Sequence, residues 1–193
     1  MGPKPAWRIR TTPAPGLATA ANVLRIQQNE HWTCELSDGI LVEQDMGSEE
    51  SVIAVWLLTF VNNCVIPCRL GLVTGEAGKI KINSHTVRIP DVAFVSVQRL
   101  PSGEMPREAL PLLVPNLLGE VLSRGNPVEE IQHGLPDDFE AGVDLVRLVE
   151  TRQRIVEVFI ASDRSTSLQE TQFLTGGSVL PGFRPHVRQL FAV

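Results

Sequence analysis

The sequence predicts a mixed α/β or α+β domain in which one sheet is flanked by helices. Three observations carry that prediction. Segments with apolar residues at helical spacing alternate along the chain with short runs rich in β-branched residues. Two polar turn signals, Ser37-Asp38-Gly39 and Asn83-Ser84-His85, each join a pair of such runs. Finally, 43% hydrophobic against 20% charged residues is ordinary globular usage, which excludes a disordered or fibrous chain, and 193 residues suffice for one core.

Taken in order, residues 1–16 read as a flexible N-terminal arm ahead of a single domain over 17–193, because residues 11–16 are Pro-rich and polar. A secretory signal would need an apolar run there, so none is expected. Thr19 is placed to cap a helix running to about Gln28, with Val23, Leu24 and Ile26 on or beside its apolar side. A hairpin follows over residues 33–43, turned by Asp38-Gly39, which readily supplies the positive φ angles of a tight turn. Ser48, Glu49 and Glu50 then suit the start of a helix that carries Val52, Trp56 and Phe60 at i+4 spacing and is closed by Pro67. Its apolar stretch, residues 51–66, falls short of the roughly 20 that span a bilayer, so a core helix rather than a membrane segment is expected.

Residues 72–82 and 87–95 read as the two arms of a second hairpin, followed by a Pro/Gly-rich loop over 100–115. Residues 117–122 form an apolar strand interrupted only by Glu120, residues 128–141 have a helical pattern stopped by Gly142, and residues 145–149 and 155–160 are two more strands. Gly176-Gly177 and Pro181-Gly182 punctuate the tail.

Two acids carry the chemistry. Asp91 follows Pro90 at the head of an apolar strand, and Glu120 sits inside another, where an unpaired charge would cost several kcal/mol. Such a carboxylate needs a partner, a proton or a metal. Carboxylates converging from adjacent strands make a hard oxygen site suited to Mg²⁺, which activates water for phosphodiester hydrolysis. An ordinary strand-end acid at Asp91 and an arginine-paired Glu120 would satisfy the same spacing.

The runs Val87-Arg88-Ile89-Pro90-Asp91-Val92-Ala93-Phe94-Val95, Glu120-Val121-Leu122-Ser123, Phe139-Glu140-Ala141-Gly142-Val143 and Gly176-Gly177-Ser178-Val179-Leu180-Pro181-Gly182-Phe183, with Cys34-Glu35-Leu36-Ser37-Asp38-Gly39 upstream, resemble the Uma-two family of restriction-endonuclease-like proteins over about residues 17–192. The resemblance implies a PD-(D/E)XK-type nuclease core, a DNA substrate, and Mg²⁺ or Mn²⁺ held by Asp91 and Glu120. It adds Glu76 as a further acid and Ser123 as a hydroxyl that orients a ligand or caps a turn. A homodimer in a bacterial cytoplasm is expected, with no membrane association. The three cysteines, Cys34, Cys64 and Cys68, without a CxxC pair, suit that reducing compartment better than a disulfide framework or a zinc site.

Departures from the family pattern are as specific as the matches. The helix lysine of the family is Gly134 here and a tyrosine is Asp138, while Pro136 weakens the same helix; Asn116, Arg124 and Arg147 also replace commoner residues. Only Lys4, Lys79 and Lys81 are lysines among 17 basic residues, so Lys79 and Lys81 are the candidates to replace the missing one. The alternative reading is a catalytically impaired nuclease fold used as a DNA-binding or protein-interaction module. Arg147, Arg152, Arg154 and Arg164 form the densest basic stretch, with Glu150, Glu157 and Asp163 interleaved, which fits a mixed-charge solvated face as well as phosphate contact. The net charge of −5 excludes a generic nucleic-acid coat protein but not a local basic site.

Overall fold

In the computed structural model, which describes residues 6–44, 47–123 and 128–192, two sheets share the strands that the sequence assigns to one. The elements are α1 (Ala20–Glu30), β1 (Cys34–Ser37), β2 (Ile40–Glu43), α2 (Ser48–Cys68), β3 (Gly71–Gly75), β4 (Ile80–Lys81), β5 (Thr86–Arg88) and β6 (Val92–Ser96). They continue with β7 (Leu117–Leu122), α3 (Val128–Ala141), β8 (Leu145–Glu150), β9 (Ile155–Ala161) and β10 (Arg164–Leu168). A four-stranded sheet has the order β2-β1-β5-β4, and a six-stranded sheet has the order β10-β9-β8-β7-β6-β3. All pairs are antiparallel except β7 with β8, which α3 connects as a crossover.

The expected second hairpin is therefore corrected. Each of its arms is cut in two, β3 and β6 pairing in the large sheet while β4 and β5 pair in the small one. The cut between β5 and β6 falls at Ile89-Pro90-Asp91, where proline has no N–H to continue a ladder. Asp91 thus stands at the corner where the chain passes from one sheet to the other.

The first hairpin turns as expected, with Asp38 at φ 49° and Gly39 at φ 75°. Thr19 precedes α1, its N–H donating to Asn22 Oδ1 at 2.8 Å. The described part of the segment expected to be an arm lies against β2: the Arg10 N–H donates to the Leu41 carbonyl at 3.0 Å, and the buried Arg8 donates through Nε to the Glu43 carbonyl at 2.7 Å. Arg10 also bridges Glu30 and Glu43.

α2 runs 21 residues, one beyond Pro67, and ends where Arg69 turns left-handed and the Leu70 N–H returns to the Val65 carbonyl. By length and composition it is apolar enough to cross a membrane. Its inner face, Ile53, Ala54, Leu57, Val61 and Val65, is buried on the large sheet with Phe94, Leu117, Val121 and Val149. Val52 and Trp56, which the sequence shows at i+4 spacing with Phe60, are exposed, because a helix apolar all round offers no periodicity to choose a side. A second cluster, with Leu118, Leu135, Val146 and Leu148, fills the opposite face of the sheet under α3. A third joins α1 to the small sheet through Val23, Ile26, Leu36 and Val87. β10 escapes the sequence reading because its Arg-Ser-Thr-Ser-Leu run has no apolar alternation and is largely exposed.

Candidate active site

Pairing of β6 with β7 stops at Val92 opposite Gly119. One step further, the side chain of Asp91 takes over from the backbone: its Oδ2 accepts the Val121 N–H at 2.7 Å. That bond fixes the carboxylate against β7, and Asp91 is only 9% exposed. Glu120 projects from β7 to the α3 side, as Leu118 does, and is half-buried. Both acids are held above the usual carboxylate range. Burial is the main cause for Asp91, which is pushed up to about 7; the Val121 hydrogen bond opposes it, and Glu76, Glu35 and Glu50 add to it. Burial again leads for Glu120, followed by repulsion from Asp91, Glu35 and Asp138, with Arg88 pulling the other way.

Glu35 is the residue that sequence reasoning missed. It lies on β1, in the small sheet, and its Oε1 accepts the Ile89 N–H at 2.7 Å, which brings its carboxylate to the same corner as Asp91. One signal was available: Glu35 alternates with the buried Cys34 and Leu36, so it points to the other side of the hairpin. Arg88 completes the corner. Its Nε donates to Asp138 Oδ1 at 2.9 Å, its Nη2 donates to the Gly134 carbonyl at 3.3 Å, and its Nη1 lies 3.9 Å from Glu35 Oε2.

The other expected residues are dispersed. Glu76 is exposed just after β3, close enough to Asp91 to raise its proton affinity. Ser123 follows β7, and its hydroxyl is buried with no hydrogen-bond partner among the described residues. Lys81 lies on β4 opposite Val87, not on a strand paired with β6, and Lys79 precedes β4, buried, with its proton affinity lowered by burial. Burial, the neighbouring acids and, for Glu120, Arg88 are the causes that act on these two carboxyl groups, and neither lysine is among them. Arg124 lies outside the described residues.

Nor do the four arginines form one basic face. Arg147 is fully buried, its guanidinium 4.5 Å from the centre of the Phe183 ring, and Arg154 is paired with Glu170 at 2.7 Å. Asn116 serves the opposite end of the sheet, accepting the Ser96 N–H at 2.8 Å and donating to Asp144 Oδ2 at 2.8 Å. A cavity of about 790 Å³ opens there, away from Asp91.

Among the described residues no three His, Cys, Asp or Glu side chains already form a metal-binding group. The donor chemistry nonetheless fits a hard divalent cation, which accepts two carboxylates and keeps several waters. Asp91 and Glu120 are both anionic donors whose charge is raised in energy by burial and by neighbouring acids, and neither makes an ion pair among the described residues.

An acid at the entry corner of one strand and a second on its neighbour, beside a parallel strand reached through a helix, define a restriction-endonuclease-like fold. The chain belongs to the Uma2 family, described as "Putative restriction endonuclease", which matches residues 20–190. It is also similar to a crystal structure from Anabaena variabilis titled as "a putative nuclease belonging to DUF820", with TM-score 0.78 and 17% identity, covering 90% of this chain and 97% of that one. None of the curated proteins matches.

Proposed function

We propose that this protein is a metal-dependent endonuclease that hydrolyses DNA phosphodiester bonds, with Asp91 and Glu120 holding Mg²⁺ or Mn²⁺. The observation that carries the reading is the approach of the buried carboxyl group of Asp91, at the head of β6, and the half-buried one of Glu120 on β7 at the corner between the sheets, neither in an ion pair among the described residues. A divalent cation held there would supply a water of lowered pKa and neutralise phosphate charge. The Val121 N–H turns one oxygen of Asp91 into the protein and frees the other for the site. The rigid ladder of β7 aims Glu120, and the Ile89 N–H anchors Glu35 beside them. Glu76 adds negative charge at the rim, and Ser123 ends β7 with a hydroxyl that has no hydrogen-bond partner among the described residues. Two copies acting on the two strands of a duplex, in a cytoplasm, complete the proposal.

One observation favours a second reading. Gly134 stands where the family pattern has lysine, so the chain is alternatively an impaired nuclease fold that binds DNA or a protein without cutting. The test is nicking and linearisation of supercoiled plasmid with Mg²⁺, Mn²⁺ or EDTA, comparing the parent with Asp91→Ala and Glu120→Ala. Cleavage that requires the metal and both acids is the expected result. A folded parent that neither cuts nor is stabilised by metal overturns the enzyme reading and leaves the binding module.

A further inference from the structure

We propose that Arg88 is the resident cation of this site, a positioning residue whose guanidinium fills the space that Gly134 leaves open and sets the charge that the acidic corner presents to a metal. The inference rests on the metal-dependent reading above. Its geometry comes from three elements. Arg88 leaves β5 three residues before Asp91 and is only 7% exposed. α3 receives it with two groups one helical turn apart, the Gly134 carbonyl and the Asp138 carboxylate, and β1 approaches it with Glu35. A Cβ at position 134 would lie 2.7 Å from Nη2, closer than real Cβ contacts come, so any side chain at 134 requires the tip of Arg88 to shift from its present pose.

Gly134 and Asp138, which look like unrelated losses in the sequence, are thereby two halves of one arrangement: a glycine that makes room and an acid that grips. The guanidinium suits this role because it stays charged and its fork engages two partners at once. Arg88 also offsets the mutual repulsion of the acids, being the group that pulls Glu120 back towards the charged form. A fixed cation so placed competes with a mobile one. It favours the charged form of Glu120 while lowering the attraction of the acidic corner for a divalent ion.

The test measures Mn²⁺ affinity by titration calorimetry and metal-dependent plasmid nicking in the parent, Arg88→Met, Gly134→Ala, Gly134→Lys and the double variant Arg88→Met/Gly134→Lys. Arg88→Met is expected to bind Mn²⁺ about three- to tenfold tighter while nicking falls about a hundredfold. A brace with no electrostatic part would not produce that opposition. Gly134→Lys alone is expected to lose nicking because lysine and Arg88 collide, and the double variant to regain it to within about tenfold of the parent. Gly134→Ala, whose added methyl group meets only the tip of Arg88, keeps the fold and moves Mn²⁺ affinity the same way by about twofold. It decides the matter if Arg88→Met does not fold: unchanged or weaker Mn²⁺ binding in Gly134→Ala overturns the proposal. If the parent binds Mn²⁺ and cuts, and Arg88→Met does both equally well, the role of Arg88 is refuted while the nuclease reading stands. If the parent binds no Mn²⁺, the nuclease reading falls; Mn²⁺ binding gained in Arg88→Met then still supports Arg88 as the resident cation, and its absence overturns that as well.

Discussion

On the α3 side of β7, Glu120 keeps part of its surface in solvent and stands among Asp91, Glu35 and Asp138. On the α2 side of the neighbouring β8, Arg147 is wholly enclosed, opposite Gly119, with one donor given to the Thr175 carbonyl at 2.9 Å. Its Nε and Nη1 have no hydrogen-bond partner among the described residues, and burial brings its pKa down to about 9. Both places hold ionisable groups against the cost of desolvation. They differ in company and in access. The arginine has a π face over Phe183 to soften its burial and no route for a solute. The acids repel one another, and Glu120 and Glu35 keep part of their surface in solvent. Burial of a charge alone therefore does not single out a site in this sheet; the crowding of like charges between the two sheets is what supports the metal-site proposal.

The largest effect should come from removing that crowding's purpose. Asp91→Ala or Glu120→Ala is expected to lower plasmid nicking by about a thousandfold or more, the scale of several kcal/mol of metal-derived stabilisation. Arg147→Met is expected to leave nicking unchanged, and a loss in that variant would break the contrast drawn between the two faces.

Next in size is a stability effect with a defined pH window. Asp91 binds its proton more tightly in the folded chain than in the unfolded one, with a folded value of about 7 against an ordinary 3.8. Its contribution to stability is therefore complete below about pH 4 and is lost as pH rises through about 7. Asp91→Asn stays neutral throughout. It should be more stable than the parent by about 2–4 kcal/mol at pH 8 in EDTA, with the difference vanishing near pH 4, as read by urea unfolding. Saturating Mg²⁺ should narrow the gap at pH 8 by stabilising the parent alone.

Arg147→Met should raise stability by about 1–2 kcal/mol, since an apolar chain of similar volume replaces a buried cation with unpaired donors. In a chain of this length that is roughly a 3–6 °C rise in the melting midpoint. The smallest expected change is in Glu35→Gln, which keeps an oxygen for the Ile89 N–H but loses its charge. Mn²⁺ binding should weaken about fivefold with no loss of fold. An unchanged affinity would remove Glu35 from the site and confine the comparison to Asp91 and Glu120.

Much of this was legible in the residues alone. The Asp38-Gly39 turn, the helix start after Thr19, and the single acid in the apolar run around Glu120 all follow from short-range chemistry and appear where that chemistry puts them. Pro90-Asp91 marked a special position, but its nature as the joint between two sheets was hidden, because a proline breaks a ladder equally well at an edge or at a corner. Glu35 was visible only as the outward-alternating residue of a hairpin strand, since nothing local tells a strand acid facing water from one facing another acid. The inward side of α2 was not legible, because Val52, Trp56 and Phe60 are as regularly spaced as the residues that the core buries.

The sequence by itself determined most of the helices and strands in order, β10 and the breaks within the second hairpin excepted, and the two acids that disturb apolar strands, because periodicity, turn chemistry and the cost of a lone charge act over a few residues. The tertiary structure alone decided how those strands divide between two sheets, that Glu35 joins Asp91 and Glu120, and that Arg88 meets Asp138 across 50 positions of chain. Charge pairing depends on distance in space, and that distance exists only once α3 and the small sheet have closed on the same corner.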